Sequence, residues 1–392
     1  MLFQIIDNKQ ECYKIYCDNK LVDDYSLDAL THTWSPVAHL STEDIQYAKI
    51  WCHGMTVSEV CPDHLLDRWK KVNSQALVFL KTFQKAKINL QDICFYDTVP
   101  EKFLLNFYDI KSQITSHVFN TYKKPKNYTF LKDLSYFLKR IESHELNIDL
   151  KNIDFSSQKV RDTASKISKA NKNIIYNPWK TVTGRLTTEK NSFPILTLNK
   201  ELRGAIKPKN DLFVELDFNA AEVRALLALL GQEQPKEDIH NWINDNIFDG
   251  KLNREKTKKK VFSWLYNPKA KNKKLNEYLD RDKLYKKYFL DGHVFTPYNR
   301  KIAVDKDKAV NYLIQSTTSD MLLEAALKID KILKSKKSFV CFCIHDSITI
   351  DMAAEDKEML KELAELFSKT KLGTFKFNLS IGKDFGSMRK VL

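Results

Sequence analysis

Two aspartates stand where chain reversals would expose them. Asp217 sits near the end of an apolar run, residues 212–218, and Asp346 lies in a His345-Asp346-Ser347 turn between two further apolar runs. Carboxylates projecting from the edge of one sheet bind divalent cations through oxygen. Two such ions about 3.5–4 Å apart can activate an attacking hydroxyl and steady a leaving phosphate. A second pattern is basic and aromatic. Arg254, Lys258, Phe262 and Tyr266 recur every four residues, so in a helix they form one stripe. Its cations can meet phosphates while Phe262 offers a flat face to a base, which suits a nucleoside triphosphate.

The hydrophobic pattern supplies elements to hold these side chains. Residues 212–218 read as a strand running into an amphipathic helix, 220–230, closed by Gly231. Further helices are expected at 238–247, 254–265 and 308–334, and strands at 338–344 and 348–352 on either side of the turn. In the helix at 308–334, Asn311 and Gln315 are four apart and share a face, while Leu313 and Leu322 can turn inward. Upstream, residues 2–7 and 12–22 read as a small β-hairpin, followed by helical patterns at 66–87, 101–119 and 130–143. The first 100 residues show no chemistry, and Asp23-Asp24 and His32 read as turn residues.

The 392 residues suffice for two or three packed substructures. An excess of 64 Lys and Arg over 50 Asp and Glu gives a net charge of +14, which favours a polyanionic partner, nucleic acid first. The segment 251–287 is especially basic, although Lys269, Lys271, Lys273 and Lys274 within it also fit an ordinary solvated face. Seven cysteines, at 12, 17, 52, 61, 94, 341 and 343, show no zinc spacing and read as reduced thiols. No run reaches about 18 apolar residues and no basic-then-apolar leader opens the chain, so a soluble, intracellular protein with no membrane partner is expected.

Several separated segments, in order, resemble the motifs of the family A, polymerase-I-like DNA polymerases, especially compact bacteriophage forms. Thr183-Gly184-Arg185-Leu186 is similar to the family's Thr-Gly-Arg-Leu, and Leu216-Asp217-Phe218-Asn219-Ala220-Ala221-Glu222-Val223-Arg224 resembles motif A. Asp238-Ile239-His240 resembles the Asp-Ile-His that follows it, and Arg254-x3-Lys258-x3-Phe262-x2-Leu265-Tyr266 resembles motif B. Asn311-x3-Gln315 is similar to the Asn-x3-Gln-Gly-Thr segment, His345-Asp346 to motif C, and Gly382-Lys383-Asp384-Phe385-Gly386 to the closing Gly-x-Asn-Trp. The likeness covers residues 177–392.

That resemblance implies an α+β, right-hand polymerase fold with an antiparallel-sheet palm, helical fingers and a reduced helical thumb. Residues 1–100 would be a small N-terminal α/β region, 101–172 a reduced thumb, 173–237 and 301–392 the palm, and 238–300 the fingers. Asp217 and Asp346 would be the catalytic residues and the ligands of two Mg²⁺ ions, with Mn²⁺ able to substitute. Arg254, Lys258 and His240 would hold the triphosphate of a dNTP, Phe262 would stack on its base beside Tyr266, and Glu222 would stand where a ribose 2′ hydroxyl must fit. Arg185, Arg203, Asn311, Gln315 and His345 would meet the primer–template. Amide and guanidinium donors suit this task because minor-groove acceptors occupy similar places in every correct base pair. The implied partners are primer–template DNA and dNTPs, with room for a processivity factor or a separate exonuclease. The implied location is the host cytoplasm if the chain is phage-encoded.

The chain also departs from the pattern. Ser347 replaces the acid that ordinarily follows His-Asp, and a hydroxyl cannot replace a carboxylate's charge. Single-subunit phage RNA polymerases also show His-Asp-Ser, so RNA or primer synthesis is the runner-up, with a non-catalytic DNA-binding replication factor behind it. Asn267-Pro268 follows Tyr266 where the family has Gly, and Pro stops a helix. The fingers are therefore expected to be short. No Asp-x-Glu metal motif with its companion acids is visible, so no 3′–5′ exonuclease is expected.

Overall fold

Along Leu212–Phe218 (β1), Val214, Leu216 and Phe218 are buried, while Glu215 and Asp217 are half-buried on the opposite face. In the computed structural model, β1 is the centre of a five-stranded antiparallel sheet. Phe339–Ile344 (β2), Ser347–Met352 (β3), Phe377–Gly382 (β4) and Arg389–Lys390 (β5) complete it in the order β2-β3-β1-β4-β5. Because β1 is paired on both sides, Asp217 lies opposite Ser347 on β3 and Asn378 on β4. A bulge interrupts the β2 pairing between Val340 and Phe342. Close by, the Tyr176 hydroxyl donates to the Cys343 carbonyl at 2.6 Å and accepts from its amide at 3.1 Å, satisfying edge-strand backbone.

Five helices belong to the same unit: Ala221–Leu230 (α1), Ile239–Ile247 (α2), Arg254–Tyr266 (α3), Ala309–Leu333 (α4) and Leu360–Ser368 (α5), of which α4 packs on β2 and β3 and α5 on β1. Their ends follow local chemistry. Left-handed Gly231 ends α1, Asp238 caps α2 by accepting from the His240 and Asn241 amides, and Asn253 caps α3 by accepting from the Lys256 amide. One core unites α1 to α4: Val223 and Leu227, Ile239 and Ile243, Val261 and Trp264, and Leu313 and Ile314 are all buried in it. Away from this core, α3 presents Arg254 and Lys258 and α4 presents Asn311 and Gln315, whereas His240 of α2 is buried. Burial of the apolar side therefore dictates where the functional side points.

The structure describes residues 1–7, 14–23, 26–37, 44–88, 90, 93–151, 153–169, 171–267 and 270–392. Cys12, Asp24, Pro268 and Lys269 lie outside the described residues. The chain forms two compact units, Met1–Lys139 and Arg140–Leu392, and the sheet and helices above belong to the second. In the first, strands Gln4–Ile5, Ile15–Cys17 and Lys20–Val22 form a three-stranded sheet where a two-stranded hairpin was expected. Helices Asp63–Lys85 and Glu101–Thr121 bring Trp69, Val72, Ile110, Ile114 and Val118 into one core. Cys52, Cys61, Cys341 and Cys343 are free thiols, whereas Cys94 is disulfide-bonded, contrary to the expectation of seven reduced cysteines. Pairing depends on approach of the β-carbons in the fold, which spacing along the chain does not give. Among the described residues no helix is long and apolar enough to cross a membrane.

Candidate active site

Strand register brings the two aspartates together. Asp217 is the penultimate residue of β1, Asp346 immediately precedes β3, and the Phe218 amide donates to the Asp346 carbonyl at 3.2 Å. The reversals after β1 and before β3 both place a non-glycine residue in the left-handed region, Ala220 at φ 51° and His345 at φ 52°. Each such residue costs on the order of 1–3 kcal/mol, which the surrounding packing must offset. His345 is exposed at the tip of its turn, and Asp346 is half-buried beside it.

The cluster is short of positive charge. Burial pushes the Asp217 carboxyl up to about 6, opposed by a 3.1 Å hydrogen bond from Asn378 Nδ2 and reinforced by the charges of Asp346 and Glu215. Burial also raises Asp346, opposed by the neighbouring His345 and Arg185 side chains. Glu222 is raised by burial against its ion pair with Arg185, and Glu215 by burial against a hydrogen bond from Ser347. Four carboxyls are thus raised by burial: Glu215 and Asp217 on β1, Asp346 just before β3 and Glu222 on the first turn of α1. A cation held by Asp217 and Asp346 would oppose the burial that raises both.

The Thr-Gly-Arg-Leu loop delivers Arg185 to this cluster. Gly184 has φ 76°, and a β-carbon there would fall on the Arg300 guanidinium. Arg300 donates to fully buried Asp320 on α4 at 2.6 and 3.0 Å, and Ser319 Oγ donates to the Gly184 carbonyl at 3.0 Å. The glycine is therefore demanded by close approach as well as by its torsion. On the same helix, Asn311 and Gln315 are half-buried and linked by a 2.9 Å hydrogen bond from Gln315 Nε2 to Asn311 Oδ1. Arg203 lies over the Phe385 ring at 4.9 Å, and its buried Nε has no hydrogen-bond partner among the described residues.

On α3 the expected stripe is present. Arg254 and Lys258 are exposed, and the Phe262 and Tyr266 rings stack with centroids 5.7 Å apart and planes 9° apart. Arg254 Nη2 donates to Asp238 Oδ2 at 3.0 Å, so the carboxylate that caps α2 also orients the first cation of the stripe. His240 is only 2% exposed, with its ring centroid 6.1 Å from that of Phe262. Burial lowers its pKa, and the Arg254 and Lys258 charges act the same way against Asp238, so its imidazole is neutral at pH 7.

Sequence reasoning missed three kinds of support. Glu215 was detectable, because the alternation along β1 puts it on the Asp217 face. Arg224 stood inside a motif without a role. Its buried guanidinium donates to the carbonyls of Asn219, Pro235 and Glu237 at 3.0, 2.8 and 2.9 Å, tying the α1–α2 connection to the turn after β1. Asn378, Arg300 and Asp320 reach the site through tertiary contacts that leave no local signal.

No protein-family model matches the chain, and no curated protein matches it. Among solved structures it is similar to the POL domain of Pol1 from M. smegmatis, a complex with DNA primer-template and dNTP. The two share 13% identity over 82% of this chain and 66% of that one, with a TM-score of 0.46. This chain thus spans just under two thirds of that solved chain. The functional reading rests on the site itself.

Proposed function

We propose that the chain is a template-directed DNA polymerase that adds dNTPs to a primer 3′ end, of the compact, phage-like family A type. The observation that carries this reading is the Asp217–Asp346 pair: two half-buried carboxyls at neighbouring strand ends, both held back from ionising. The exposed Arg254–Lys258 face supports it, since its helix packs on the same core as α1, which carries Glu222. In this reading the sheet segments 173–237 and 301–392 are the palm, 238–300 the fingers and 101–172 a reduced thumb.

The donor set fits a hard divalent cation. Among the described residues no three His, Cys, Asp or Glu side chains close around a point, so Asp217 and Asp346 would leave coordination positions for water and substrate oxygen. Mg²⁺ held by these two aspartates, with Mn²⁺ able to substitute, would supply a lowered pKa at the primer 3′ hydroxyl and positive charge for the leaving phosphate. The chain's own residues do the positioning. Arg254 and Lys258 bind the triphosphate with His240 behind them, Phe262 and Tyr266 form the base platform, and Glu222 fills the space of a 2′ hydroxyl. Arg185, Arg203, Asn311, Gln315 and His345 bind the primer–template. Arg185 is held by Glu222 in the free protein and would be released to DNA on binding.

One observation favours a second reading, RNA or primer synthesis: Ser347 follows Asp346 where an acid would otherwise stand. Extension of a labelled primer on a DNA template with Mg²⁺, comparing dNTPs, rNTPs and Asp346→Ala, decides between them. Extension by dNTPs alone, lost in the variant, is expected. Extension by rNTPs would transfer the assignment to RNA synthesis. Binding without extension under either metal would leave a DNA-binding replication factor.

A further inference from the structure

Ser347 brings a neutral hydroxyl to a position that faces Asp217, and the acid its hydroxyl meets comes from another strand. Glu215 and Asp217 are two apart on β1 and so share a face. Ser347 is paired with Asp217 and only 5% exposed, and its Oγ lies 3.1 Å from both Glu215 Oε1 and the Ile344 carbonyl, so its one proton is shared between them. The residue directly across from Glu215 is Thr349, which is 1% exposed and whose Oγ1 has no hydrogen-bond partner among the described residues. A second hydroxyl donor is thus placed beside Glu215. Burying a carboxylate in a sheet costs more than burying an apolar side chain of the same length, so a purely architectural role gives no reason for an acid here.

We propose that Glu215 is a positioning residue for the Asp217–Asp346 pair, supplying from β1 the negative charge that the His345-Asp346-Ser347 turn lacks. Ser347 is its hydrogen-bonding tether. The charge sits on the central strand, on the face that carries Asp217 and two residues from it. This inference rests on the polymerase reading and goes beyond it, because nothing in that reading requires residue 215 to be acidic.

The test uses Glu215→Gln, which keeps an oxygen for Ser347 but removes the charge, together with Glu215→Ser and the exchange Glu215→Ser/Ser347→Glu. Two quantities are read on the whole chain: Mn²⁺ binding by electron paramagnetic resonance without DNA, and kcat and KM for dNTP in primer extension. Circular dichroism and Tm check folding. Glu215→Gln is expected to weaken Mn²⁺ binding and lower kcat about 10- to 100-fold, the usual range for a group supporting a metal ligand, with KM for dNTP within twofold. The exchange should recover at least tenfold over Glu215→Ser in both readouts. A Glu215→Gln protein that matches wild type in Mn²⁺ binding and kcat overturns the proposal, as does a folded exchange variant no better than Glu215→Ser. Failure of wild type to extend any primer would instead defeat the polymerase reading. The Mn²⁺ titration needs neither DNA nor turnover, so the two failures are distinguishable.

Discussion

The carboxylate edge of the sheet and the basic face of α3 are opposites in charge, burial and support. Asp217, Asp346 and Glu222 are half-buried, fixed by strand register or by the first turn of α1, and pushed toward protonation by their surroundings. Arg254 and Lys258 are exposed on a helix whose order comes from Val261, Trp264 and Leu265 behind them. The first region is positioned at an electrostatic cost that its hydrogen bonds offset in part and that a bound cation would relieve further. The second is held from behind at little cost and acts through long solvated side chains. Substitutions at the carboxylates should therefore change chemistry, pH response and stability together, whereas substitutions on the stripe should change affinity alone.

The strongest test removes a carboxylate. Asp217→Ala or Asp346→Ala should lower dNTP incorporation by at least about 10²–10³-fold, the scale of losing one charge-organising contact in a transition state. Primer–template binding, which rests on many phosphate contacts, should stay within a few-fold in a gel-shift titration. Equal loss of both would point to misfolding and dissolve the contrast between the regions. Next in size is Glu222→Ala. It should raise incorporation of rNTPs relative to dNTPs by roughly 10- to 200-fold, the range for a single packed contact, and an unchanged sugar preference would remove Glu222 from the gate. Lys258→Ala sharpens the comparison from the other side: KM for dNTP should rise about tenfold, as for loss of one charge-assisted hydrogen bond, with Tm nearly unchanged. If only DNA affinity fell, α3 would be a DNA contact instead.

These two regions were also unequally legible. The period-four stripe and the capping residues Asp238 and Asn253 are local, so α2 and α3 begin and end within a residue or so of the positions their sequences suggest. β1 was equally clear because its alternation is uninterrupted from Val214 to Phe218. What periodicity could not give was which strand lies beside which. Asn378 comes from β4, 161 residues away from Asp217, and the Arg300–Asp320 pair that locks Gly184 joins a loop to the middle of α4. The burial of His240 was hidden as well, since Asp238-Ile239-His240 reads as an exposed helix start until α3 covers it. Local signals fix elements, and the site's electrostatics arise between elements.

The smallest expected effect is also the one most specific to the carboxylate edge. Asp217 has its folded pKa raised to about 6 from an ordinary 3.8, so the native state holds that proton more tightly than the unfolded chain does. Its contribution therefore favours folding at low pH and is lost as pH rises between these values. Asp217→Asn carries no such penalty. In chelator, its Tm advantage over wild type should be smallest near pH 4 and reach on the order of 2–4 °C at pH 7, the response expected for about 1 kcal/mol in a domain of 150–250 residues once the roughly 3 kcal/mol of the full shift is discounted for solvent screening at a half-buried carboxyl. Adding Mg²⁺ at pH 7 should raise wild type more than the variant and narrow the gap, because an ion that binds only the native state stabilises it by mass action. Lys258→Ala, carried through the same series, should show neither the pH-dependent gap nor its closure, since an exposed cation has no burial penalty to relieve. A Tm difference for Asp217→Asn that is flat with pH would mean that the strand end tolerates its charge without help, and the asymmetry between the two regions would then lie in geometry alone.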